Sequence, residues 1–420
     1  MRTGAPLFAV LALVALPLLA IGCAQMKSTD PHAPAARSDA PPTFADDVAF
    51  MKQHTDVIVL GDGDARVAIA PAYQGRVMTS TARGESAEGY GWINRALIAA
   101  GGGQPHINPW GGEDRFWVGP EGGQFAIFFK KDDPFDLAHW QTPAFIDTDT
   151  YAVAERTERS VTFRHHASVT NYSGVQLDMD IERVIRVMHP TDVTLALGMT
   201  PGPGVKFVAF ESDNKLINAG RQAWTKATGL LSVWILGMFK PSPEAVVVVP
   251  YHKGPEDARG PIVNDTYFGK VPADRLSIED GIILFRGDGQ YRTKIGVGPH
   301  RATPFCGSWD AERGVLTIVQ FNLPYGMTDY VNSMWELQDD PYGGDVINSY
   351  NDGPPEPGKK PLGPFYELET SSPAAELMPG QWIAHINRTM HFEGPRDELD
   401  ALAKRALGVG LERIEGFARR

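Results

Sequence analysis

The chain has 420 residues, of which 43% are hydrophobic, so it is long enough to bury a large core. Its formal net charge of -12 argues against nucleic acid and anionic membrane surfaces as partners. A content of 44 glycines and 33 prolines is typical of many short strands joined by turns and argues against a mainly helical protein.

The first element is an apolar segment at the N-terminus. Arg2 precedes a run of apolar residues, 7–20, which is typical of a secretory signal. The run ends in L-A-I-G-C at Cys23, which resembles the bacterial lipobox, in which cleavage precedes a cysteine that is then diacylated. The alternative is a plain secretory signal in which the cysteine has no such role.

The lipobox resemblance sets the first two boundaries. We predict a lipoprotein signal peptide at 1–22 and a flexible tether rich in Ala, Pro, Ser and Asp at 23–43. It also implies a membrane lipid anchor at Cys23. The expected location is the cell envelope, either on the periplasmic face or in the outer membrane, and Ala24 after the cysteine favours the outer membrane.

The next segments show the periodicity of a β-protein. A short helix is predicted at 44–54, and from residue 55 onward apolar residues mainly alternate with polar ones. The predicted strands are 57–60, 66–70, 175–187, 193–199, 245–249, 282–285, 315–321 and 382–392. Because no helices separate these strands, they predict an all-β fold, a large antiparallel β-sandwich. An amphipathic helix at 396–407 follows.

Two long loops are predicted, at 260–274 and 339–364, and loops of this length in a compact domain are usually functional. The second loop supplies three candidate substrate-binding residues, Tyr350, Asn351 and Asp352. We expect no cofactor and no catalytic metal. A structural divalent cation held by the Asp-rich part of this loop stays open as an alternative.

The most distinctive stretch runs from 106 to 125 and combines tryptophans, charged residues and two Gly-Gly pairs. Its candidate binding residues are His106, Trp110, Glu113, Asp114, Arg115 and Trp117. Trp supplies an apolar face and Arg a fork of donors, so the stretch indicates a pocket for a polar, flat-faced ligand. The alternative is a Gly-rich loop over a β core, with Trp117 as an ordinary core residue.

Two regions resemble a known family. The segments F-Y-E-L-E-T at 365–370 and L-M-P-G at 377–380 are similar to the end of galactose mutarotase-like (aldose 1-epimerase-like) proteins. Asn94, Arg95 and the Gly-Gly pair at 111–112 are similar to that family's Asn-Arg and His-Gly-Gly motifs. The signature W-G-G-E-D-R-F-W-x-G-P-E-G-G resembles DUF6786-type bacterial proteins more closely still.

The resemblance covers about 50–395 and implies a β-supersandwich that binds a sugar or oligosaccharide in a cleft. The expected domain is 44–395, followed by a C-terminal helical segment at 396–420. Asn94 and Arg95 join the candidate binding residues.

The family's catalytic glutamate maps onto Glu369, and Glu367 is the second choice. Sugar mutarotation needs a base and an acid on opposite sides of the ring. Trp110 stands where the family has its histidine, so ordinary galactose mutarotase activity is expected to be weak or absent. The candidates for the acid are His165 and His166, and beside them His106 and His385.

Three functions stay open, and catalysis itself is undecided. The first is a carbohydrate-binding or carbohydrate-active lipoprotein, including an epimerase-like acid/base enzyme. The second is a non-catalytic surface lipoprotein for glycan capture or assembly. The third is a glycosidase or lyase using Glu367 and Glu369 as paired carboxylates. The chain has no P-loop, G-x-S-x-G or H-E-x-x-H motif, which disfavours nucleotide-dependent, esterase and zincin chemistry.

The lipobox resemblance makes a direct prediction about membrane attachment. Replacing Cys23 with Ser should release the protein from the membrane fraction, because the acyl chains would have no thiol to attach to. The measurement is fractionation of cells together with metabolic labelling by a fatty acid. If the Cys23→Ser protein stays in the membrane fraction without acyl label, the anchor assignment is wrong.

Overall fold

The structure is a computed structural model that describes residues 40–356 and 358–420. The expected signal peptide, Cys23 and nearly all of the tether lie outside the described residues. Residues Pro42–Arg420 form one compact unit, in which the helices after the last strand belong to the same body as the strands.

Alternating apolar residues form strands along most of this unit. The strands are β1 (Ile58–Asp62), β2 (Ala65–Ala70), β3 (Arg76–Thr81), β4 (Arg115–Gly119), β5 (Ala152–Arg156), β6 (Ser160–Thr170), β7 (Gln176–Val187), β8 (Lys206–Asn218), β9 (Ser232–Phe239), β10 (Ala245–Pro250), β11 (Leu276–Glu279), β12 (Ile282–Arg286), β13 (Thr293–Val297), β14 (Phe305–Asp310), β15 (Val315–Phe321), β16 (Ile347–Asn351), β17 (Tyr366–Ser371) and β18 (Trp382–Glu393). All but one of the strands predicted from the sequence are confirmed within a few residues.

The strands assemble into antiparallel sheets. A ten-stranded sheet has the order β11-β12-β10-β14-β15-β18-β8-β7-β6-β5, and a five-stranded sheet has the order β13-β16-β17-β9-β4. The first three strands of the chain form a three-stranded sheet of order β1-β2-β3. Apolar side chains of the two larger sheets share common core clusters. The predicted all-β antiparallel sandwich is therefore confirmed.

Helices are short and mostly flank the sheets. They are α1 (Phe44–Met51), α2 (Arg95–Ala100), α3 (Pro190–Leu197), α4 (Glu256–Arg259), α5 (Arg396–Leu407) and α6 (Leu411–Ala418), with 3-10 turns at Pro71–Tyr73 and Ala144–Ile146. In the described ranges, no helix combines the length and the apolar character needed to cross a membrane.

The strand predicted at 193–199 is wrong, because these residues form α3. Pro190 lies in the first turn, and the Asp192 carboxylate accepts a hydrogen bond from the backbone N–H of His189, so the helix start is capped. Val193 and Leu197 then lie one turn apart on the buried face. The alternation of apolar residues was real, but the capping signals determined the element.

Strand β10 shows why the ten-stranded sheet is so apolar. Val247 and Val249 pack toward the five-stranded sheet, whereas Val246 and Val248 pack toward α5 and α6 on the other side. A strand covered on both faces reads as a continuous apolar run rather than as an alternation. The helix predicted at 396–407 is confirmed as α5, and the predicted helical segment 396–420 is divided at Gly408–Gly410, after which α6 begins.

The ion pair between Arg183 and Asp114 lies inside the sandwich. Arg183 of β7 occupies the core-facing side of its strand, and its side chain and that of Asp114 are completely buried. The guanidinium donates to the Asp114 carboxylate, to the Asn214 side-chain oxygen at 2.6 Å and to the Gly75 carbonyl at 3.2 Å. Ser212 donates to the other Asp114 carboxylate oxygen at 2.9 Å. The charges are therefore paired and their hydrogen bonds are met, which burial demands.

This pair makes a prediction about stability. The Arg183→Met substitution should lower the free energy of unfolding by about 3–5 kcal/mol, because it leaves the Asp114 carboxylate buried without its partner. Chemical denaturation gives the measurement. The control is Arg164→Met, which breaks an exposed pair with Glu182 and should cost about 1 kcal/mol or less. Equal losses in the two variants would contradict the structural role assigned to Arg183.

Candidate functional site

Strand register places a set of charged and aromatic side chains on one face of the five-stranded sheet. Glu369 of β17 pairs with Asn348 of β16 and with Leu236 of β9, while Lys294 of β13 pairs with Tyr350. Side chains of directly paired residues point to the same face of a sheet. The register therefore brings these residues onto the face that forms the floor of a cleft.

The cleft has a volume of about 610 Å³, and six aromatic residues are among those that line it. The aromatic residues that line it are Trp140, Trp234, Trp335, Tyr267, Phe268 and Tyr350. Trp140 and Trp335 stack with their ring centroids 5.8 Å apart, and Trp335 stays partly exposed. The volume lies in the usual range of small-molecule sites, and the wall combines apolar faces with a few polar groups.

Glu369 lies directly beneath the floor of this cleft. One of its carboxylate oxygens, Oε2, accepts hydrogen bonds from Lys294 Nζ at 2.9 Å and from Trp234 Nε1 at 3.0 Å. The other oxygen, Oε1, is buried and has no hydrogen-bond partner in the part of the chain that the structure describes. The Glu369 side chain is 0% exposed and that of Lys294 is 12% exposed. In this conformation a ligand in the cleft would therefore contact Lys294, and Glu369 lies behind that lysine.

Glu367 lies on the same face of β17 and pairs with a different cation. Its carboxylate accepts a hydrogen bond from Arg115 Nη2 at 2.8 Å, and the Arg115 guanidinium stacks 4.3 Å from the Trp117 ring. Burial raises the pKa of Glu367 to about 8; the neighbouring Glu369 adds to the rise, and Arg115 opposes it. The two glutamates are thus held by separate cations and neither lines the open cleft.

Three further carboxyl groups line the cleft or its edge, and each is held by a hydrogen bond. Tyr267 donates to Asp345 at 2.5 Å, Trp335 donates to Glu121 at 3.0 Å, and Tyr350 donates to Asp352 at 2.8 Å. Burial raises the pKa of all three carboxyl groups, although Lys294 opposes the rise at Asp345 and Glu121.

Some of the residues predicted from the sequence do lie in this cleft. His106, Tyr350 and Asp352 line it, and the His106 ring nitrogen Nδ1 lies 2.8 Å from the Trp140 carbonyl oxygen. Asn351 does not line the cleft, since it is buried and its side chain contacts Asp288 at 3.1 Å. The segment 347–351, predicted as loop, is strand β16.

Trp110, Glu113, Asp114 and Arg115 do not line the cleft, contrary to the expectation that the 106–125 stretch supplies these residues to a binding pocket. Trp110 is buried and stacks on Tyr73, with ring centroids 4.5 Å apart. Glu113 accepts hydrogen bonds from Ser80 and contacts His391 inside the sandwich.

The two glycines after Trp110 explain why this stretch turns away from the cleft. Gly111 and Gly112 have φ values of +95° and +108°. A Cβ on Gly111 would lie 2.1 Å from the carbonyl oxygen of Trp92. The two glycines of W-G-G are therefore required for close backbone packing, and this stretch does not form a binding loop. Trp117 is a core residue, and its ring packs edge-on against Trp234 at 5.5 Å.

Asn94 and Arg95 have structural contacts. The Asn94 side chain caps α2 by accepting a hydrogen bond from the Leu97 N–H at 3.1 Å. Arg95 pairs with Asp47 at 2.6 Å and stacks over Phe50. Neither residue lines the cleft.

Of the four histidines considered as the general acid, His106 lines the cleft and the other three do not. His165 stacks on Tyr151 at 4.6 Å, and the side chain of His166 is 65% exposed beside Asp180, both on β6 of the other sheet. His385 is completely buried, and burial lowers its pKa to about 3, so it stays neutral between the sheets. An alternation of apolar residues does not tell which sheet a strand joins, so the sequence left these candidates equal.

Sequence reasoning missed several residues that build the cleft. Lys294 lies in the short strand T-K-I-G-V, and Trp234 lies in the apolar run S-V-W-I-L-G-M-F; neither segment was predicted as a strand. Trp140 and Tyr267 come from irregular segments. A single lysine alternating with buried apolar residues could have indicated a charge aimed into a pocket. Within the described ranges, no group of three or more His, Cys, Asp or Glu side chains is placed to hold a metal ion.

Comparison with known proteins gives one family match. Residues 42–418 match the model of a family of unknown function, DUF6786. This confirms the closer of the two resemblances seen in the sequence. No curated protein matches the chain.

Solved structures give matches of low identity. The chain is similar to an aldose 1-epimerase candidate from Escherichia coli K12 (10% identity, 81% of this chain and 99% of that chain, TM-score 0.47). It is also similar to a galactose mutarotase-like protein from Lactobacillus casei ATCC 334 (10% identity, 80% and 100%, TM-score 0.43). A third is a galactose mutarotase related enzyme from Lactobacillus acidophilus (9% identity, 81% and 97%, TM-score 0.43).

The raised pKa of Glu367 predicts a pH dependence of stability. The Glu367 carboxyl has a pKa of about 8 in the folded protein and about 4.5 in the unfolded chain, so the folded state favours its protonated form. Its contribution to the free energy of unfolding is therefore complete below pH 4.5. That contribution is lost as pH rises toward 8, with a slope approaching about 1.4 kcal/mol per pH unit. Glu367→Gln mimics the protonated group and should remove this part of the slope. Denaturation curves at several pH values provide the measurement, and parallel pH profiles for the two proteins would contradict the assignment.

Proposed function

This chain belongs to the DUF6786 family, and we propose that it binds a carbohydrate in the aromatic cleft of its five-stranded sheet. The observation that carries the proposal is the composition of the cleft. Aromatic faces form its wall, while Lys294, Asn348 and Asp345 supply polar groups at its floor. Pyranose rings have an apolar C–H face and a rim of hydroxyl groups, so such a wall and floor complement them.

The wall contributes a stacking platform. Trp335 is partly exposed, is backed by Trp140 and Phe129, and is oriented by the hydrogen bond from its indole N–H to Glu121. A ring held from behind loses little conformational entropy when a ligand stacks on its free side. This platform supports binding of a flat-faced ligand.

The floor contributes groups that can bond to hydroxyls in both directions. Lys294 can donate, and the Asp345 carboxyl can donate or accept according to its protonation state. The Tyr267 hydroxyl already donates to Asp345 and accepts from Asn348 at 3.1 Å, so the network is fixed before the ligand arrives. Pre-organised polar groups of this kind favour specific recognition of a hydroxyl-rich ligand.

Acid/base catalysis on a sugar is the second candidate function. Glu369 Oε1 is a buried oxygen without a hydrogen-bond partner in the described residues, and it belongs to the carboxylate beneath the cleft floor, so it retains the capacity to accept a proton. His106, in the cleft lining, could supply the second proton-transferring group. For Glu369 to act as the base, the Lys294 side chain must move aside, since it covers the carboxylate. The glycosidase or lyase alternative would need Glu367 exposed as well.

We further propose that the protein acts in the cell envelope as a lipid-anchored protein. The support is the lipobox-like sequence ending at Cys23. A tether followed by a sugar-binding domain fits either glycan capture or modification of a glycan at the envelope.

The binding proposal predicts the effect of removing the platform. Screening the purified protein against a glycan array should identify a carbohydrate ligand. Trp335→Ala should then weaken its binding by about tenfold or more, roughly 1.4 kcal/mol, because a buried aromatic contact is lost. The matched control is Trp382→Ala, an exposed tryptophan on β18 outside the cleft lining, which should leave affinity unchanged. Titration calorimetry measures both.

Two outcomes would contradict the binding proposal. One is an array on which no carbohydrate binds above background. The other is a carbohydrate ligand whose affinity falls equally in Trp335→Ala and Trp382→Ala, since binding would then lie elsewhere on the surface.

The catalytic candidate is tested by polarimetry on fresh α-glucose and α-galactose, followed by the sugars found on the array. We expect weak or absent mutarotation of glucose and galactose. If a sugar from the array is turned over, Glu369→Gln should lower the rate by about 100-fold or more, because the base is replaced by an amide. Glu182→Gln, remote from the cleft, is the control. Unchanged turnover in Glu369→Gln would exclude Glu369 as the base.

A further inference from the structure

We propose that the carbohydrate bound by this cleft carries a carboxylate, as a uronic acid does, and that Arg292 binds that group. This inference rests on the proposed function and narrows its substrate class. It starts from Arg292, which lines the cleft and whose guanidinium has no carboxylate oxygen within 4.0 Å in the described part of the chain.

The Arg292 guanidinium is held in place by an aromatic ring. Its Cζ lies 3.9 Å from the centroid of the Phe268 ring, and Phe268 also lines the cleft. Stacking on an aromatic face fixes the plane of a guanidinium and leaves the N–H groups at its edge able to donate. The Arg292 side chain also interacts with the Tyr350 hydroxyl, which uses part of this donor capacity. An arginine oriented in this way presents a fork that matches the two oxygens of a planar carboxylate.

The nearest carboxyl group does not neutralise Arg292. Asp352 is completely buried, and its oxygens accept hydrogen bonds from the Tyr350 hydroxyl and from the Gly363 N–H, both at 2.8 Å. Burial raises the pKa of Asp352, and Arg292 only partly opposes that rise. The neighbouring protein groups therefore leave the charge of Arg292 largely uncompensated.

The charges elsewhere in the lining are arranged differently. Lys294 is paired with Glu369, whereas Glu121 and Asp345 are bound by Trp335 and Tyr267. Lys360 is a second lining cation that forms no ion pair in the described residues. Among the lining acids, Glu336 is an exposed residue at the rim. The cleft thus contains two cations without carboxylate partners, whereas Glu369, Glu121 and Asp345 are already engaged by hydrogen bonds from protein groups.

The experiment compares acidic oligosaccharides with their own methyl esters, which keep the shape and remove the charge. The panel contains trimers of galacturonate, glucuronate, mannuronate and guluronate, each as the free acid and as the ester. We expect at least one free acid to bind about tenfold or more tightly than its ester, as a charge-assisted bidentate pair implies. Added salt should weaken binding of the acid and leave binding of the ester unchanged.

Three variants locate the effect. Arg292→Met keeps a long side chain over Phe268 and should remove the preference for the acid, so that the acid and its ester bind with similar affinity. Arg292→Lys keeps the charge without the fork and should retain part of the preference. Arg164→Met removes an exposed arginine of the other sheet and should change neither affinity.

The outcomes separate this inference from the function it rests on. If carbohydrates bind but every acid and its ester bind equally, or if Arg292→Met retains the full preference, the carboxylate proposal is wrong and the sugar-binding cleft stands. If a sulfated or phosphorylated sugar binds through Arg292 and no uronic acid does, the proposed carboxylate is wrong. If no carbohydrate binds at all, the proposed function itself is wrong.

Discussion

The buried pair of Asp114 and Arg183 is the interaction on which the architecture of the site depends. It joins the segment before β4, in the five-stranded sheet, to β7 in the ten-stranded sheet. Two charges in a protein interior are tolerated only when they are paired and their remaining hydrogen bonds are met. Few relative positions of the sheets satisfy that condition, so the pair acts as a positional constraint as well as a contact.

The Asp114–Arg183 pair also fixes the position of the residue that follows Asp114, which lies beneath the cleft floor. Arg115 follows Asp114, lies on the cleft-facing side of β4 and pairs with Glu367. Two residues further along β17, Glu369 pairs with Lys294. The floor of the cleft thus lies over two buried glutamates, each hydrogen-bonded to a cationic side chain. Arg292 lies beside this floor and forms no ion pair within 4.0 Å in the described residues, so no carboxylate partner offsets its charge directly.

How far the sequence predicts the site differs from residue to residue. Glu369 was selected by a short motif, and the structure places it under the cleft, although covered by Lys294. Trp110 and Glu113 belonged to the most conspicuous stretch of the chain, yet both pack inside the body. Conspicuous residues can be required for close packing as well as for binding. Gly111 and Gly112 show this, since their positive φ values and tight contacts serve the fold.

The sequence alone predicts the long alternating strands such as β7 and β18, since alternation of side chains along a chain is a local property that follows from strand geometry. It also determined the fold class, because strands without intervening helices have few ways to bury their apolar faces. Which side chains meet depends on how the whole chain folds. Lys294 and Glu369 are 75 positions apart, and Arg115 and Glu367 are 252 positions apart. Sheet order and register bring such residues together, and these are set by the packing of the whole chain rather than by any one segment.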